Sequence, residues 1–318
     1  MGLTKPLIHE IARKTWLINE LGCNNMYVLE GTERSLVVDA GMGYCNFREI
    51  VESLTDKPYD VVITHAHPDH IGMMHQFERI YINRKEIEEA PPRNWGKVTT
   101  KGGMDTINWL TRKDFDMDEF YMNNNTHIGN WEVWTPDESV ICRGDLDTEI
   151  CYIQEGDTFD LGGGRLVTAY DLPGHSPGHM YFVDEGEKIA FTGDCVNFNN
   201  GTRFHSAYRH CLYLLKFLSM YGTKYDRIFT GHQTYAGRLS FKSQDIRTVE
   251  GLLEAHRAYL KGEGYTIEMR SRALHPDVFN PTMCYGEGPY HIEVNEPPCK
   301  WADDEPHIIP SSEIGISV

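Results

Sequence analysis

The sequence predicts an α/β fold, an αββα sandwich of two mixed β-sheets flanked by helices, carrying an aromatic-rich insertion. Three observations point to it. Short runs of β-branched and aromatic residues followed by helical periodicity occur in the first ninety or so positions and again after residue 148. A chain of 318 residues with 40% hydrophobic content is long enough to bury a full core between such layers. An apolar run, Val61-Val62-Ile63, leads directly into a cluster of histidines, which places polar chemistry at the end of a strand.

Trp16-Leu17-Ile18 and Met26-Tyr27-Val28-Leu29 are strand-forming, and Gly31 to Arg34 make a turn before the strand that ends at Asp39. This opening reads as antiparallel. Residues 47–54 form a short helix that Lys57-Pro58 breaks before a strand over 61–64. A helix over 71–78, a strand over 80–82 and a helical stretch over 85–89 follow. Strands are expected over 148–153, 158–161, 165–170, 180–183 and 189–192, with Gly162-Gly163-Gly164 as a turn. Residues 205–221 read as a buried helix and 225–230 as a strand. In 243–261, Ile246, Val249, Leu252, Leu253 and Leu260 recur at helical spacing, and Gly262 supplies the stop.

One domain over residues 1–265 accommodates these elements, with an insertion at about 85–150 and a C-terminal extension, 266–318, packing on the domain. The insertion concentrates Trp95, Trp109, Phe115, Phe120, Tyr121, Trp131 and Trp134. Such rings either pack a small subdomain or line a lid or dimer contact beside the site. The second use makes Trp95, Trp109, Trp131 and Trp134 pocket candidates, together with Asn197 and Tyr208.

Composition narrows the function. A formal net charge of −17 repels a phosphate backbone, so nucleic acid is not expected as a partner. No run approaches the roughly 20 apolar residues of a membrane span, and the first six residues lack a secretory core. The expectation is a cytoplasmic protein that acts on a small molecule, with a homodimer as the possible assembly. Eight scattered cysteines without CxxC pairs point to reduced thiols.

Thr64-His65-Ala66-His67-Pro68-Asp69-His70 gathers three imidazoles and a carboxylate within six residues. A polar loop that merely caps a helix rarely collects four donors at this spacing, and imidazole is the commonest metal ligand. Alternation along an extended segment puts His65 and His67 on one side, able to chelate one ion together. Asp69 and His70, beyond Pro68, can face another.

His65-x-His67-x-Asp69-His70 resembles the signature of the metallo-β-lactamase superfamily. Four further stretches match that family in order: Asp39 after Ser35-Leu36-Val37-Val38, Pro173-Gly174-His175-Ser176-Pro177-Gly178-His179, Phe191-Thr192-Gly193-Asp194, and Thr230-Gly231-His232. The resemblance spans roughly residues 15–235. It implies the metallo-β-lactamase fold and a dinuclear centre. In that arrangement His65, His67 and His175 hold one metal, and Asp69, His70 and His232 the other. Asp194 bridges the two, and Asp69 and Asp194 are the catalytic carboxylates.

Two divalent ions in such a centre share a hydroxide whose pKa they depress, and one ion polarises the scissile oxygen. Nitrogen and oxygen donors favour Zn2+ while admitting Fe or Mn. Asp39 is expected to orient a ligand imidazole rather than to ligate. His179 has a structural place in its motif, and Cys195, beside Asp194, points away.

The family's chemistry includes thioesters, lactones, β-lactams and phosphodiesters, and fold does not choose among them. The run from Pro173 to His179 is shared with hydroxyacylglutathione hydrolases and with quorum-quenching lactonases. The tyrosine that lactonases carry three residues after the bridging aspartate is Asn197 here. The expectation is a dinuclear hydrolase of an ester-type carbonyl, a thioester or lactone. The alternatives are a mononuclear iron sulfur dioxygenase and a non-catalytic metal-stabilised binding protein.

Overall fold

The computed structural model describes residues 6–20, 24–41, 43, 45–88, 147–197, 199–201, 207–232, 241–270, 279–285 and 291–294. The first sheet has seven strands in sequence order: β1 (Leu7–Ala12), β2 (Thr15–Glu20), β3 (Asn24–Glu30), β4 (Ser35–Val38), β5 (Tyr59–Val62), β6 (Arg79–Asn83) and β7 (Glu149–Ile153). Pairing is antiparallel from β1 to β4 and parallel from β4 to β7, so the sheet is mixed.

The second sheet comprises β8 (Thr158–Asp160), β9 (Leu166–Asp171), β10 (Met180–Asp184), β11 (Ile189–Phe191) and, beyond a third-sheet strand, β13 (Arg227–Phe229). Their spatial order is β13-β11-β10-β9-β8, with β11 and β13 parallel. Among the described residues five helices accompany the sheets: α1 (Phe47–Leu54), α2 (Pro68–Ile71), α3 (Arg84–Glu88), α4 (Ala207–Met220) and α5 (Arg247–Lys261).

Strand alternation builds the layers. Tyr27, Leu29, Leu36 and Val38 of the first sheet meet Val167, Ala169, Phe182, Phe191 and Phe229 of the second in a core between the sheets. The opposite face of the first sheet, with Met26, Val28, Val37 and Val61, packs on Phe47 and Val51 of α1. The outer face of the second sheet, with Tyr181, Val183 and Ile228, packs on Leu214 and Phe217 of α4 and Val249, Leu252 and Leu253 of α5. These three cores make an αββα sandwich. Each of the larger side chains among them contributes on the order of 1.5–3 kcal/mol by leaving water.

Local signals account for the element ends. Asn46 caps α1, its side chain accepting from Glu49 N at 3.2 Å. Helix α5 stops at Gly262 in the left-handed conformation. The helix expected over 71–78 does not form. A single turn, α2, is followed by a 3-10 turn at Met74–Gln76. Gly72 N and Met73 N donate instead to the carbonyls of Gly41 and Ala40, which ties this stretch to the exit of β4.

A third sheet was not foreseen. It contains β12 (Asn199–Gly201), β14 (Gly264–Arg270), β15 (Phe279–Tyr285) and β16 (His291–Val294), in the order β12-β16-β15-β14. The tail strand β16 runs parallel to β12, with Asn199 opposite His291. The insertion's four tryptophans, Trp95, Trp109, Trp131 and Trp134, lie outside the described residues, as does the side chain of Tyr208. Among the described residues no helix is long and apolar enough to cross a membrane, and Cys45, Cys151, Cys195 and Cys211 are in no disulfide.

Candidate metal centre

Every donor singled out in the sequence sits at or just beyond the end of a strand, along one edge of the sandwich. His65, His67, Asp69 and His70 follow β5. His175 lies in the connection from β9 to β10, Asp194 follows β11, and His232 follows β13. The structure gathers them into two groups: His65, His67, His175 and Asp194 in the first, and Asp69, His70 and His232 in the second. Within each group the donor atoms lie within 4.8 Å of one another.

Asp194 reaches across both groups. Its Oδ2 lies 3.5 Å from His175 Nε2, 4.0 Å from His65 Nε2 and 3.0 Å from His232 Nε2, and its Oδ1 lies 3.3 Å from His70 Nε2. Asp69 Oδ2 is 3.1 Å from His232 Nε2 and 3.9 Å from His70 Nε2. His67 Nδ1 and His175 Nε2 are 2.8 Å apart. His65, His70, Asp194 and His232 are buried, whereas His67, Asp69 and His175 are half-buried and form the open side.

Asp39 organises the floor. It occupies a left-handed corner, φ 65°, immediately after β4. Its Oδ1 accepts from Thr64 N at 2.8 Å, and its Oδ2 lies 2.8 Å from His70 Nδ1. Thr64 Oγ1 donates to the same carboxylate at 2.9 Å and lies 3.0 Å from His65 Nδ1. With the Thr64 proton committed to Asp39, His65 Nδ1–H donates to Thr64 and His70 Nδ1–H donates to Asp39. The Nε2 atoms of both rings are left facing the centre.

His232 is held by β3. Asn25 N donates to Gly231 O at 2.8 Å, Asn25 Nδ2 donates to Thr230 O at 2.9 Å, and Tyr27 OH donates to Thr230 O at 2.6 Å. Asn24 Nδ2 donates to the Asp69 carbonyl. The strand thus pins the donor-bearing loops of both sheets. Gly231 is a place of close approach: a Cβ there would lie 2.4 Å from Asp194 Oδ1 and 2.5 Å from His70 Cε1.

His179 Nε2 accepts from the backbone N of Asp194 at 3.2 Å, so it holds the main chain at Asp194 rather than joining either group. Cys195 Sγ donates to Leu172 O at 2.8 Å and faces away from the donors. Asn197 is buried. His210, on α4, lies 2.8 Å from His256 of α5 through their Nδ1 and Nε2 atoms. Asn24, Asn25, Tyr27 and Glu86 contribute to the centre without having been singled out in the sequence. Their partners there are backbone groups far along the chain, which no local pattern reveals.

The donor set suits cations. His65 Nε2 and His70 Nε2 are buried without a hydrogen-bond partner, a costly arrangement that a bound ion would satisfy. Burial, helped by the neighbouring His70 and His67, holds His65 well below the ordinary imidazole range, leaving it a neutral donor. Burial opposes charge on His70, yet Asp194, Asp39 and Asp69 push its pKa up to about 10. Burial likewise opposes charge on Asp194, but His232 and His70 hold that carboxyl well below its usual range. Three carboxylates converging on buried imidazoles draw positive charge to this point.

The fold and this donor arrangement define a recognised class. The metallo-beta-lactamase superfamily profile matches residues 21–232, more than half of the chain, and the chain belongs to that superfamily. Human acyl-coenzyme A thioesterase MBLAC2 is 26% identical over 184 residues, covering 54% of this chain and 58% of that protein. Hydroxyacylglutathione hydrolase GloC of Haemophilus influenzae is 25% identical over 175 residues, covering 54% of this chain and 66% of that protein. The match therefore spans less than two thirds of either relative. Among solved structures, the sec-alkylsulfatase Pisa1 from Pseudomonas sp. superposes with a TM-score of 0.57 at 14% identity, over 81% of this chain and 42% of that one. That likeness concerns the fold alone.

Proposed function

We propose that this chain is a metal-dependent hydrolase that binds two divalent cations, Zn2+ in the first instance, and cleaves a thioester. The observation that carries the reading is the single carboxylate of Asp194 within 4.0 Å of imidazoles from both donor groups. His65, His67 and His175 would hold one cation and Asp69, His70 and His232 the other, with Asp194 between them. Bound there, the ions would make water nucleophilic at neutral pH and polarise the scissile carbonyl.

The chain's own groups prepare that chemistry. Asp39 and Thr64 keep a proton on Nδ1 of His70 and His65, so Nε2 is the atom that each ring turns to the centre: His65 offers a lone pair there, and His70 would give up its Nε2 proton to an arriving cation. The buried positions of His65, His70 and Asp194 exclude bulk water from the floor. The half-buried His67, Asp69 and His175 leave one side for an acyl group to approach. The thioester class is favoured because relatives bear the names acyl-coenzyme A thioesterase and, in Paecilomyces divaricatus, atrochrysone carboxyl ACP thioesterase. The net charge of −17 supports a small-molecule substrate over nucleic acid. A cytoplasmic location and a homodimer complete the reading.

Purified protein from metal-replete expression, assayed for metal content and against acyl-thioester, lactone and phosphodiester panels, tests it. Two zinc ions per chain with thiol release from thioesters are expected. One iron per chain with oxidation of a sulfur substrate would overturn the reading, as would metal binding without turnover of any panel.

A further inference from the structure

Glu86, on α3, is 1% exposed, and its carboxylate joins two loops that come from different sheets. Oε2 accepts from Ala66 N at 2.7 Å, and Oε1 accepts from Gly178 N at 2.7 Å. Ala66 lies between His65 and His67, and Gly178 lies three residues after His175. One carboxylate therefore sets the spacing between the two chain segments that supply every imidazole of the first donor group. The loop approaches α3 closely: a Cβ on Gly178 would lie 2.9 Å from Glu86 N and 3.0 Å from Lys85 Cβ.

A buried carboxylate is costly unless its oxygens are well satisfied, and charge-assisted hydrogen bonds to backbone N–H groups are among the stronger ones. A carboxylate offers an acceptor at both ends, as two converging N–H donors require. An amide offers an acceptor at one end and an opposing N–H at the other. The same loops are also joined by Met180 N donating to Thr64 O at 2.9 Å, so the sandwich has a tie of its own at this place. Glu86 adds to that tie a fixed separation at the donor-bearing residues.

We propose that Glu86 is a positioning residue for the first donor group, tuning the affinity of His65, His67 and His175 for a cation independently of the second group. This rests on the reading that the two groups hold cations. Glu86→Gln keeps size and removes one acceptor. Glu86→Asp keeps charge and shortens the reach.

Zn2+ affinity, measured by chelator competition, is compared in two backgrounds: His232→Ala, which leaves the first group to load, and His67→Ala, which leaves the second. Both Glu86 variants are expected to weaken Zn2+ about 10- to 100-fold in the His232→Ala background and to leave the His67→Ala background unchanged. Cobalt substitution in the first background should show an altered ligand-field spectrum. Equal loss in both backgrounds would make Glu86 a general support and overturn the proposal. Wild-type affinity in Glu86→Asp would also overturn it, since charge without reach would then suffice. If neither background binds Zn2+ while Glu86 is intact, the cation reading of the groups falls, and this proposal with it.

Discussion

Asp39 Oδ2 lies 2.8 Å from His70 Nδ1, and the same carboxylate reaches His65 through the Thr64 hydroxyl. One acidic side chain thus sets the tautomer of a donor in each group. Asp39→Ala should weaken zinc binding by about 10- to 100-fold, the usual cost of losing such a partner. The loss should be greater at the group containing His70, which contacts Asp39 directly. Stepwise chelator titration reads both constants, and unchanged affinities would refute the orienting role.

Asp194 and His179 are separable by substitution. Asp194→Ala removes the carboxylate shared by the two groups and should lower both the metal stoichiometry and the activity. His179→Ala removes the acceptor of Asp194 N and leaves a buried donor unsatisfied, which costs about 1–3 kcal/mol of stability. Two ions per chain should remain. Equal metal loss in the two variants would show that His179 takes part in binding.

Gly231→Ala tests steric closure. The added methyl would collide with Asp194 Oδ1 and His70 Cε1, so donors of both groups must shift. A repacking cost of about 1–3 kcal/mol corresponds to roughly one to two orders of magnitude in affinity. Calorimetric titration with zinc gives the measurement. Wild-type binding would mean that the centre is more yielding than its packing indicates.

The metal-stripped chain should be most stable near pH 6.5. Burial lowers the His256 pKa to about 4, against about 6.5 when unfolded, so the unfolded state takes up a proton in that interval while the fold does not. Stability is then lost as pH falls from 6.5 towards 4, by about 3 kcal/mol from this residue. His65 and His179, also lowered by burial, act in the same sense. His70 has the opposite sign. Its pKa of about 10 gives stability that is present below 6.5 and lost as pH rises through 10. Urea midpoints at about pH 4.5, 6.5 and 9 should trace a maximum at the middle value.

The cluster of donors was legible because few side chains can bind a cation, and short motifs such as His65-x-His67 and Thr230-Gly231-His232 display them locally. The two sheets were legible because strand alternation marks Met26, Tyr27, Val28 and Leu29 wherever they pack. Asn25, Tyr27 and Glu86 were not, as carriers of function, because their partners are backbone groups at Gly231, Thr230, Ala66 and Gly178. The expected helix over 71–78 failed for a related reason: two amides there bond to Ala40 and Gly41, and tertiary pairing overrides local propensity. The third sheet escaped because β12 is three residues long and its partner lies in the tail.

That pairing bears on how the molecule is made. Strand β12 begins five positions after Asp194, and its neighbour in the sheet is the last described strand of the chain. A ribosome adds about 5–20 residues per second, so β12 emerges seconds before β16 exists to receive it. The two sheets of the sandwich are already complete in sequence by then. Each nascent molecule therefore passes through an interval with its donors synthesised and the segment downstream of Asp194 still lacking its parallel neighbour, and this corner can assemble only once residues 291–294 have been made.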